Sequence, residues 1–122
     1  MQDIQRLCDL VRQTGYAMHL FLGPGHLEKV YENAYVNRLR KNGIQVEQQH
    51  PIKVYNEDGA CIGAYFADLF VENCLIVELK VAKAITDEHI AQILGYLRAT
   101  RIKHGMVINF GAAKYQPRKF VL

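Results

Sequence analysis

The spacing of apolar residues divides the first third of the chain into two helical stretches. Apolar side chains recur at helical spacing from Ile4 to Met18, and residues 21–25 then supply the glycines and proline that end a helix. A second apolar stripe follows in residues 26–42, which close with a basic turn and Gly43. We therefore predict two helices before the first strand.

The pattern becomes extended after the second helix. Residues 44–54 are irregularly extended, and residues 56–59 form the turn sequence Asn-Glu-Asp-Gly. Residues 62–71 and 75–81 are rich in branched and aromatic side chains and are separated by a short polar break. These two stretches are predicted to pair as a hairpin.

The last third of the chain returns to a helix and then to strands. Thr86 is a suitable cap for a helix that runs to about Thr100, with acidic residues in its first turn. Residues 105–110 form a short apolar run typical of a buried strand, and residues 120–122 could add an edge strand. The predicted order is ααβββαβ(β), an α/β or α+β layer structure with a central mixed sheet flanked by helices.

Length and composition limit the kinds of protein that this chain can be. Its 122 residues, half of them hydrophobic, suit a single domain over residues 1–122. The chain contains no serine, which excludes a serine nucleophile. Its three cysteines form no CxxC pair, so we expect buried, reduced thiols and neither a disulfide framework nor a thiolate zinc site.

Charge distribution bears on location and partners. The N-terminal segment is interrupted by charged residues and offers no apolar run for export or membrane spanning, so we expect a cytoplasmic protein without membrane contact. The net charge is +3, and the basic excess lies in the second half of the chain. Such an excess permits contact with phosphates but is also typical of an ordinary solvated surface.

One predicted hairpin brings together acidic and basic side chains. Strand alternation places Glu78 and Lys80 on the same face of the third strand. If the hairpin pivots on Asn73, paired residue numbers sum to about 146, and Asp68 then lies opposite Glu78. An exposed Glu-x-Lys pair on a strand is common, but the position of Asp68 favours a functional site.

Two facing carboxylates predict a cation. They raise one another's proton affinity and cost free energy unless a positive charge lies between them. Oxygen ligands without cysteine favour Mg²⁺ or Mn²⁺. A metal held by Asp68 and Glu78, with Lys80 orienting water or neutralising developing charge, indicates phosphodiester hydrolysis.

Two helices could contribute further polar groups. His89, Gln92 and Tyr96 share one helix face and could donate hydrogen bonds to phosphate, or they could form the solvated side of an amphipathic helix. Glu28 follows a glycine-rich loop and could reach the acidic face, although capping or solvation would equally explain it. Tyr31 has the character of a core or boundary aromatic.

An ordered series of motifs resembles a known family. Residues 25–31, Gly-His-Leu-Glu-Lys-Val-Tyr, match the signature of the GxxExxY family of PD-(D/E)XK-like proteins. Asp68, the Glu-Leu-Lys of residues 78–80, the His-Ile-Ala-Gln of residues 89–92 with Tyr96-Leu97, and the Ile-Asn-Phe-Gly of residues 108–111 are similar to the family's later landmarks. Ala67 stands where the superfamily's motif name has proline.

The resemblance implies a nuclease-like sheet and a set of site residues. Asp68 and Glu78 would hold Mg²⁺ or Mn²⁺, with Lys80 as the catalytic lysine and Glu28 and Gln92 completing the site. We also assign Glu28 to the metal site. Supporting roles are expected for Tyr31, His89 and Tyr96.

Three functions remain open on the sequence. The first is a divalent-metal-dependent nuclease that acts on DNA rather than RNA, and its variants Asp68→Ala and Glu78→Ala are expected to lose cleavage and keep or slightly improve folding. The alternative is a non-catalytic module that binds nucleic acid or protein. The third is a homodimeric scaffold that uses its apolar helix faces. The complete acid set favours the nuclease, because carboxylates without metal repel phosphates. A domain of this size is expected to need a homodimer or a protein partner to bind a long duplex tightly.

Overall fold

The computed structural model describes residues 3–122 and has three helices and five strands. The helices and strands follow one another in the order α1 (Ile4–Leu22), α2 (Glu28–Lys41), β1 (Val46–Tyr55), β2 (Cys61–Val71), β3 (Leu75–Lys80), α3 (Asp87–Thr100), β4 (His104–Asn109) and β5 (Gln116–Val121). This order is the predicted ααβββαβ with the additional final strand.

The five strands form one mixed sheet in the order β1-β2-β3-β4-β5. Only β3 and β4 are parallel, and α3 provides the crossover between them. The other neighbouring pairs are antiparallel. The prediction of a mixed α+β sheet flanked by helices is confirmed.

Helices cover both faces of the sheet and create two apolar layers. Core side chains of α1 and α2 pack with one set of strand residues, including Leu75, Val77 and Leu79. Core side chains of α3 pack with another set, including Ile76 and Val107. The alternation of odd and even positions in β3 thus supplies both layers.

Local signals explain where the helices begin and end. The Asp3 carboxylate accepts the Gln5 N–H at the start of α1, and Gly23 ends that helix with a positive φ of 69°. Thr86 caps α3 by accepting the His89 N–H, and the His89 side chain accepts the Thr86 N–H in return.

The turn between β2 and β3 sets the register of the hairpin. Glu72 and Asn73 both have positive φ, at 50° and 56°, as a type I′ turn requires. The Cys74 N–H closes the turn on the Val71 carbonyl over 3.1 Å. The observed pairs are Leu69↔Val77, Phe70↔Ile76 and Val71↔Leu75, which confirm the predicted sum of 146.

Some sequence predictions differ from the structure. β3 and β4 end at Lys80 and Asn109, each one residue earlier than predicted. β5 is longer than residues 120–122 and begins at Gln116, because an edge strand tolerates Pro117, which has no N–H to donate.

The cysteines also differ from expectation. All three are free thiols, as predicted, but only Cys8 is buried, whereas Cys61 is exposed and Cys74 is intermediate. Cys61 lies at the start of β2, in the part of the β1–β2 hairpin that extends beyond β3. Within residues 3–122 no helix is both long and apolar enough to cross a membrane.

Candidate active site

The second and third strands bring two carboxylates together just beyond their last backbone pair. The pairing ends at Leu69 and Val77, and the next residues outward are Asp68 and Glu78. The Asp68 N–H donates to Glu78 Oε1 over 3.3 Å. The Leu79 N–H donates to Asp68 Oδ2 over 2.8 Å. Side-chain oxygens therefore accept N–H groups at the point where the regular ladder stops.

Both carboxylates lie in the protein interior. Only 9% of Asp68 and 4% of Glu78 is exposed. In the part of the chain that the structure describes, neither forms an ion pair with a lysine, arginine or histidine. Burial, followed by the negative charge of Asp68, raises the pKa of Glu78 to about 9. Burial and the neighbouring Asp68 charge therefore favour the protonated form of Glu78 in the metal-free protein.

A glutamine that the sequence analysis missed also contacts the acidic pair. Gln49 lies opposite Asp68 in the β1–β2 register and has a positive φ of 52°. Its Nε2 is 2.8 Å from Glu32 Oε1 and 3.4 Å from Asp68 Oδ1. Glu32 is buried and also accepts from Gln48 and Lys29. The alternation of polar residues along β1 does not predict a positive φ at Gln49, so this contact could not be predicted from the sequence.

Lys80 and Gln92, both predicted site residues, contact one another. Lys80 Nζ donates to Gln92 Oε1 over 2.7 Å, which links the end of β3 to α3. The Lys80 carbonyl accepts the Phe110 N–H over 2.9 Å. Strand alternation places Lys80 on the same side of β3 as Glu78. The backbone of Lys80 is thus held by the neighbouring strand, while the charge of its amine acts on Glu78 and lowers the pKa of that carboxyl against the larger effect of burial.

Asn109 holds the segment that follows Lys80. It is fully buried, and its Oδ1 accepts the N–H groups of Ala82 and Gly111, each over 3.0 Å. Its Nδ2 donates to the carbonyl of Ala82 and to Oε1 of Gln116, each over 2.9 Å. A Cβ at Gly111 would lie 2.3 Å from the Ala82 nitrogen, so only glycine fits there. The landmark at residues 108–111 therefore has a structural role in positioning the site.

The residues of the glycine-rich signature shape the loop before α2. The Tyr31 hydroxyl donates to the Gly23 carbonyl over 2.5 Å and accepts the His26 N–H over 3.3 Å. The Tyr31 ring is buried and stacks on Phe110 with the ring centroids 4.6 Å apart. Tyr31 is therefore a core aromatic, as its pattern predicted, and it fixes the loop that leads to Glu28.

Glu28 begins α2 and lies within electrostatic range of the acidic pair. Partial burial and then the charge of Asp68 raise the pKa of Glu28, whereas the charge of Lys80 acts in the opposite direction. The structure thus places Glu28 near the pair, and its role as a metal ligand stays a prediction.

The other two predicted supporting residues occupy different positions. His89 Nδ1 accepts the Thr86 N–H over 3.1 Å, so this nitrogen is occupied by the cap of α3. Tyr96 is buried rather than solvated, and its pKa rises to about 12 through burial and then through the charges of Glu78 and Asp68. Of the predicted polar stripe, Gln92 contacts Lys80, Tyr96 lies within range of the charges of Glu78 and Asp68, and His89 stabilises the helix end.

The donor set fits a hard divalent cation that keeps part of its hydration shell. Among residues 3–122, no three His, Cys, Asp or Glu side chains form a group that could hold a metal ion. Mg²⁺, however, is commonly held by one or two carboxylates together with water and substrate phosphate. Asp68 and Glu78 supply such a pair of oxygen ligands, and a cation would relieve the repulsion that keeps Glu78 protonated.

The mixed sheet, the facing carboxylates and the adjacent lysine define a nuclease-like domain. The model of the PD-(D/E)XK nuclease superfamily matches residues 5–120. The chain belongs to this superfamily, whose nucleases generally use divalent metals, typically Mg²⁺.

A solved structure has the same fold. The crystal structure of SSO0001 is 15% identical in sequence to this chain, with a TM-score of 0.62. The match covers 77% of this chain and 50% of that chain, so the present chain spans about half the length of SSO0001. At this identity the likeness concerns the fold alone. No curated protein matches the sequence.

Proposed function

We propose that this protein is a divalent-metal-dependent nuclease that hydrolyses phosphodiester bonds in DNA. The observation that carries the proposal is the buried Asp68–Glu78 pair, which has no cationic partner among the described residues and lies beside Lys80. A pair of this kind is costly for folding, whereas a bound cation and a phosphate would compensate its charge.

Each residue would have a distinct part in the reaction. A bound cation supplies Lewis-acid polarisation of the phosphodiester. Asp68 and Glu78 would hold the cation, and Lys80 would orient the attacking water and neutralise charge that develops on the phosphate. Water adds to phosphorus and gives up a proton, the bond to the leaving oxygen breaks, and that oxygen takes up a proton, so that the step is a net hydrolysis. Gln92 positions Lys80 through the 2.7 Å hydrogen bond.

The metal and the finer family assignment are parts of the same proposal. We assign the chain to the GxxExxY family, supported by the way Tyr31 closes the loop that leads to Glu28. Mg²⁺ and Mn²⁺ are the expected ions because Asp68 and Glu78 present only oxygen. Glu28 would join them as a further ligand through water, since no three acidic side chains of residues 3–122 converge on one point.

The thiols, the shared sheet and the size of the domain bear on its cellular setting and assembly. Three free thiols suit the reducing conditions of the cytoplasm. We treat residues 1–122 as one domain, since both apolar layers share a single sheet. We also propose a homodimer, or a complex with a protein partner, for duplex substrates, because a domain of this size offers limited contact surface.

The decisive experiment compares two identical substitutions in different environments. Glu78→Gln preserves the size of the side chain and an acceptor for the Asp68 N–H, whereas Glu57→Gln makes the same change in an exposed turn. Mg²⁺ and Mn²⁺ titration calorimetry and cleavage of single- and double-stranded DNA would be measured on both variants. We expect Glu78→Gln to lose metal binding and to cleave about a thousandfold more slowly, and Glu57→Gln to match the wild type.

Two outcomes would contradict the nuclease assignment. Cleavage by Glu78→Gln at the wild-type rate would show that the acidic pair is not the catalytic site. A wild-type protein that binds neither metal would favour the alternative, a non-catalytic module for nucleic acid or protein. Lys80→Ala separates the roles further, because it should abolish cleavage while retaining metal binding.

A further inference from the structure

A groove of about 660 Å³ lies between α3 and the β1–β2 hairpin. One wall is α3, which contributes Gln92, Gly95 and Tyr96, and the other includes Tyr65 on β2. The Tyr65 and Tyr96 rings are 5.5 Å apart, with 38° between their planes. Tyr65 is 53% exposed although it is a large aromatic residue. The groove is therefore lined by one exposed aromatic ring, Tyr65, which packs against the buried ring of Tyr96.

The groove is continuous with the candidate active site. Gln92 lines the groove and accepts the hydrogen bond from Lys80. Tyr96 also lines the groove, and the charges of Glu78 and Asp68 both act on its hydroxyl. A molecule in the groove would therefore lie immediately beside a phosphate held by Lys80.

The size and chemistry of the groove suit a nucleobase. Its volume falls within the range of about 300–1,000 Å³ that is usual for sites of drug-sized ligands. Exposed aromatic rings stack on the faces of all four bases, and such stacking needs no sequence-specific hydrogen bonds. Arg98 lines the groove as well and could approach the backbone of a bound strand.

We propose that this groove binds an unpaired base next to the scissile phosphate, with the base stacked on Tyr65, so that the preferred substrate is single-stranded DNA. This inference rests on the proposed nuclease function and adds the substrate class. Bases within an intact duplex are paired and stacked on one another, and they could enter the groove only after being unstacked. Duplex DNA without unpaired bases should bind more weakly than a single strand of the same length.

The first test separates bases from phosphates. Binding of a labelled single-stranded DNA oligonucleotide and of an abasic strand with the same number of phosphates would be measured by fluorescence anisotropy in the Glu78→Gln background. Tyr65→Ala should weaken binding of the normal strand by about 5- to 100-fold and leave the abasic strand unchanged. Tyr65→Phe, which keeps the ring, should stay within about threefold of the parent.

A second variant fills the groove instead of removing the ring. An added Cβ at Gly95 would meet no atom within 4 Å, so the side chain of Gly95→Leu would start in open space where Gly95 lines the groove. It should also favour helix formation in α3. We expect this variant to melt no lower than its parent, to bind the abasic strand normally and to lose the preference for the strand that carries bases.

The matched control is Tyr16→Ala. Tyr16 has the same 53% exposure as Tyr65 but lies on α1, outside the groove. It should leave binding of both strands unchanged.

Three results would overturn the proposal: equal binding of normal and abasic strands by the parent, equal weakening of both strands by Tyr65→Ala, or duplex binding as tight as single-strand binding. Metal titration and cleavage by the wild type test the nuclease function separately, so failure of one is distinguishable from failure of the other.

Discussion

Two buried polar clusters lie at the same end of the sheet, and they satisfy their polar groups in different ways. Asn109 makes four hydrogen bonds, all to groups of this chain. Asp68 and Glu78 also accept N–H groups, but they face one another without a cationic partner among residues 3–122. The first cluster is complete within the fold, whereas the second gains from a bound cation.

This difference separates structural from functional polarity. A buried polar residue with all its partners stabilises the position of the chain around it, as Asn109 does for the segment after Lys80. A buried acidic pair whose pKa is raised by its own neighbour indicates a site at which an external ligand is expected. Substitutions in the two clusters should therefore change stability in different ways.

The largest loss of stability is expected from Asn109→Ala. The substitution leaves the partly buried N–H and carbonyl groups of Ala82 and the Gly111 N–H without their Asn109 partner, so unfolding free energy should fall by about 3–5 kcal/mol. Urea denaturation measures this directly. Asn42→Ala is the control, because the exposed Asn42 makes one bond at a helix end and its loss should cost less than about 1 kcal/mol. Equal losses in the two variants would mean that the four hydrogen bonds of Asn109 stabilise the fold no more than the single bond of the exposed Asn42.

The second effect is a pH-dependent gain of stability in Glu78→Gln. Glu78 has a pKa of about 9 in the folded protein against an ordinary value of 4.5. The stability that protonated Glu78 contributes to the folded state is therefore fully present below pH 4.5 and is lost as pH rises towards 9. Glutamine does not titrate. In EDTA, the two proteins should therefore have the same free energy of unfolding near pH 4. Above that pH the free energy of unfolding of the variant should exceed that of the wild type by up to about 1.4 kcal/mol more for each pH unit.

Thermal or urea unfolding from pH 4 to pH 9 would follow this gain. Glu57→Gln should show no such trend, because Glu57 is exposed in the turn between β1 and β2. If the stability of Glu78→Gln changed with pH in the same way as that of the wild type between pH 4 and pH 9, Glu78 would be ionised in the folded protein.

The smallest of the three effects is expected from Asp68→Ala, and its sign differs from the expectation based on sequence. Removing a repelling carboxylate should help folding, but the structure shows that Asp68 accepts the Leu79 N–H over 2.8 Å. The cost of leaving the Leu79 N–H unpaired should exceed the free energy gained by removing the repulsion. The free energy of unfolding should therefore fall by about 1–3 kcal/mol in EDTA. Asp68→Asn, which keeps an acceptor oxygen, should lose less. Unchanged or higher stability of Asp68→Ala in urea denaturation would support the simpler expectation.

Local patterns predicted most of the fold and part of the site. The order of helices and strands followed from apolar spacing and from breaks such as residues 21–25, because these depend on neighbours in the chain. The burial of Cys61 was mispredicted, since the hairpin extends beyond β3 and leaves that residue exposed. Composition alone carries no information about how far a hairpin projects.

The sequence by itself determined the register that sets Asp68 opposite Glu78, because a short turn at Glu72 and Asn73 and the two-residue period of strands are local properties. Only the tertiary structure decided how deeply this pair is buried and which distant groups surround it. Gln49 reaches Asp68 through a backbone twist in β1, and Asn109 holds the segment after Lys80 from a different strand. These contacts join residues far apart in the chain, and their energies depend on burial that no local pattern specifies.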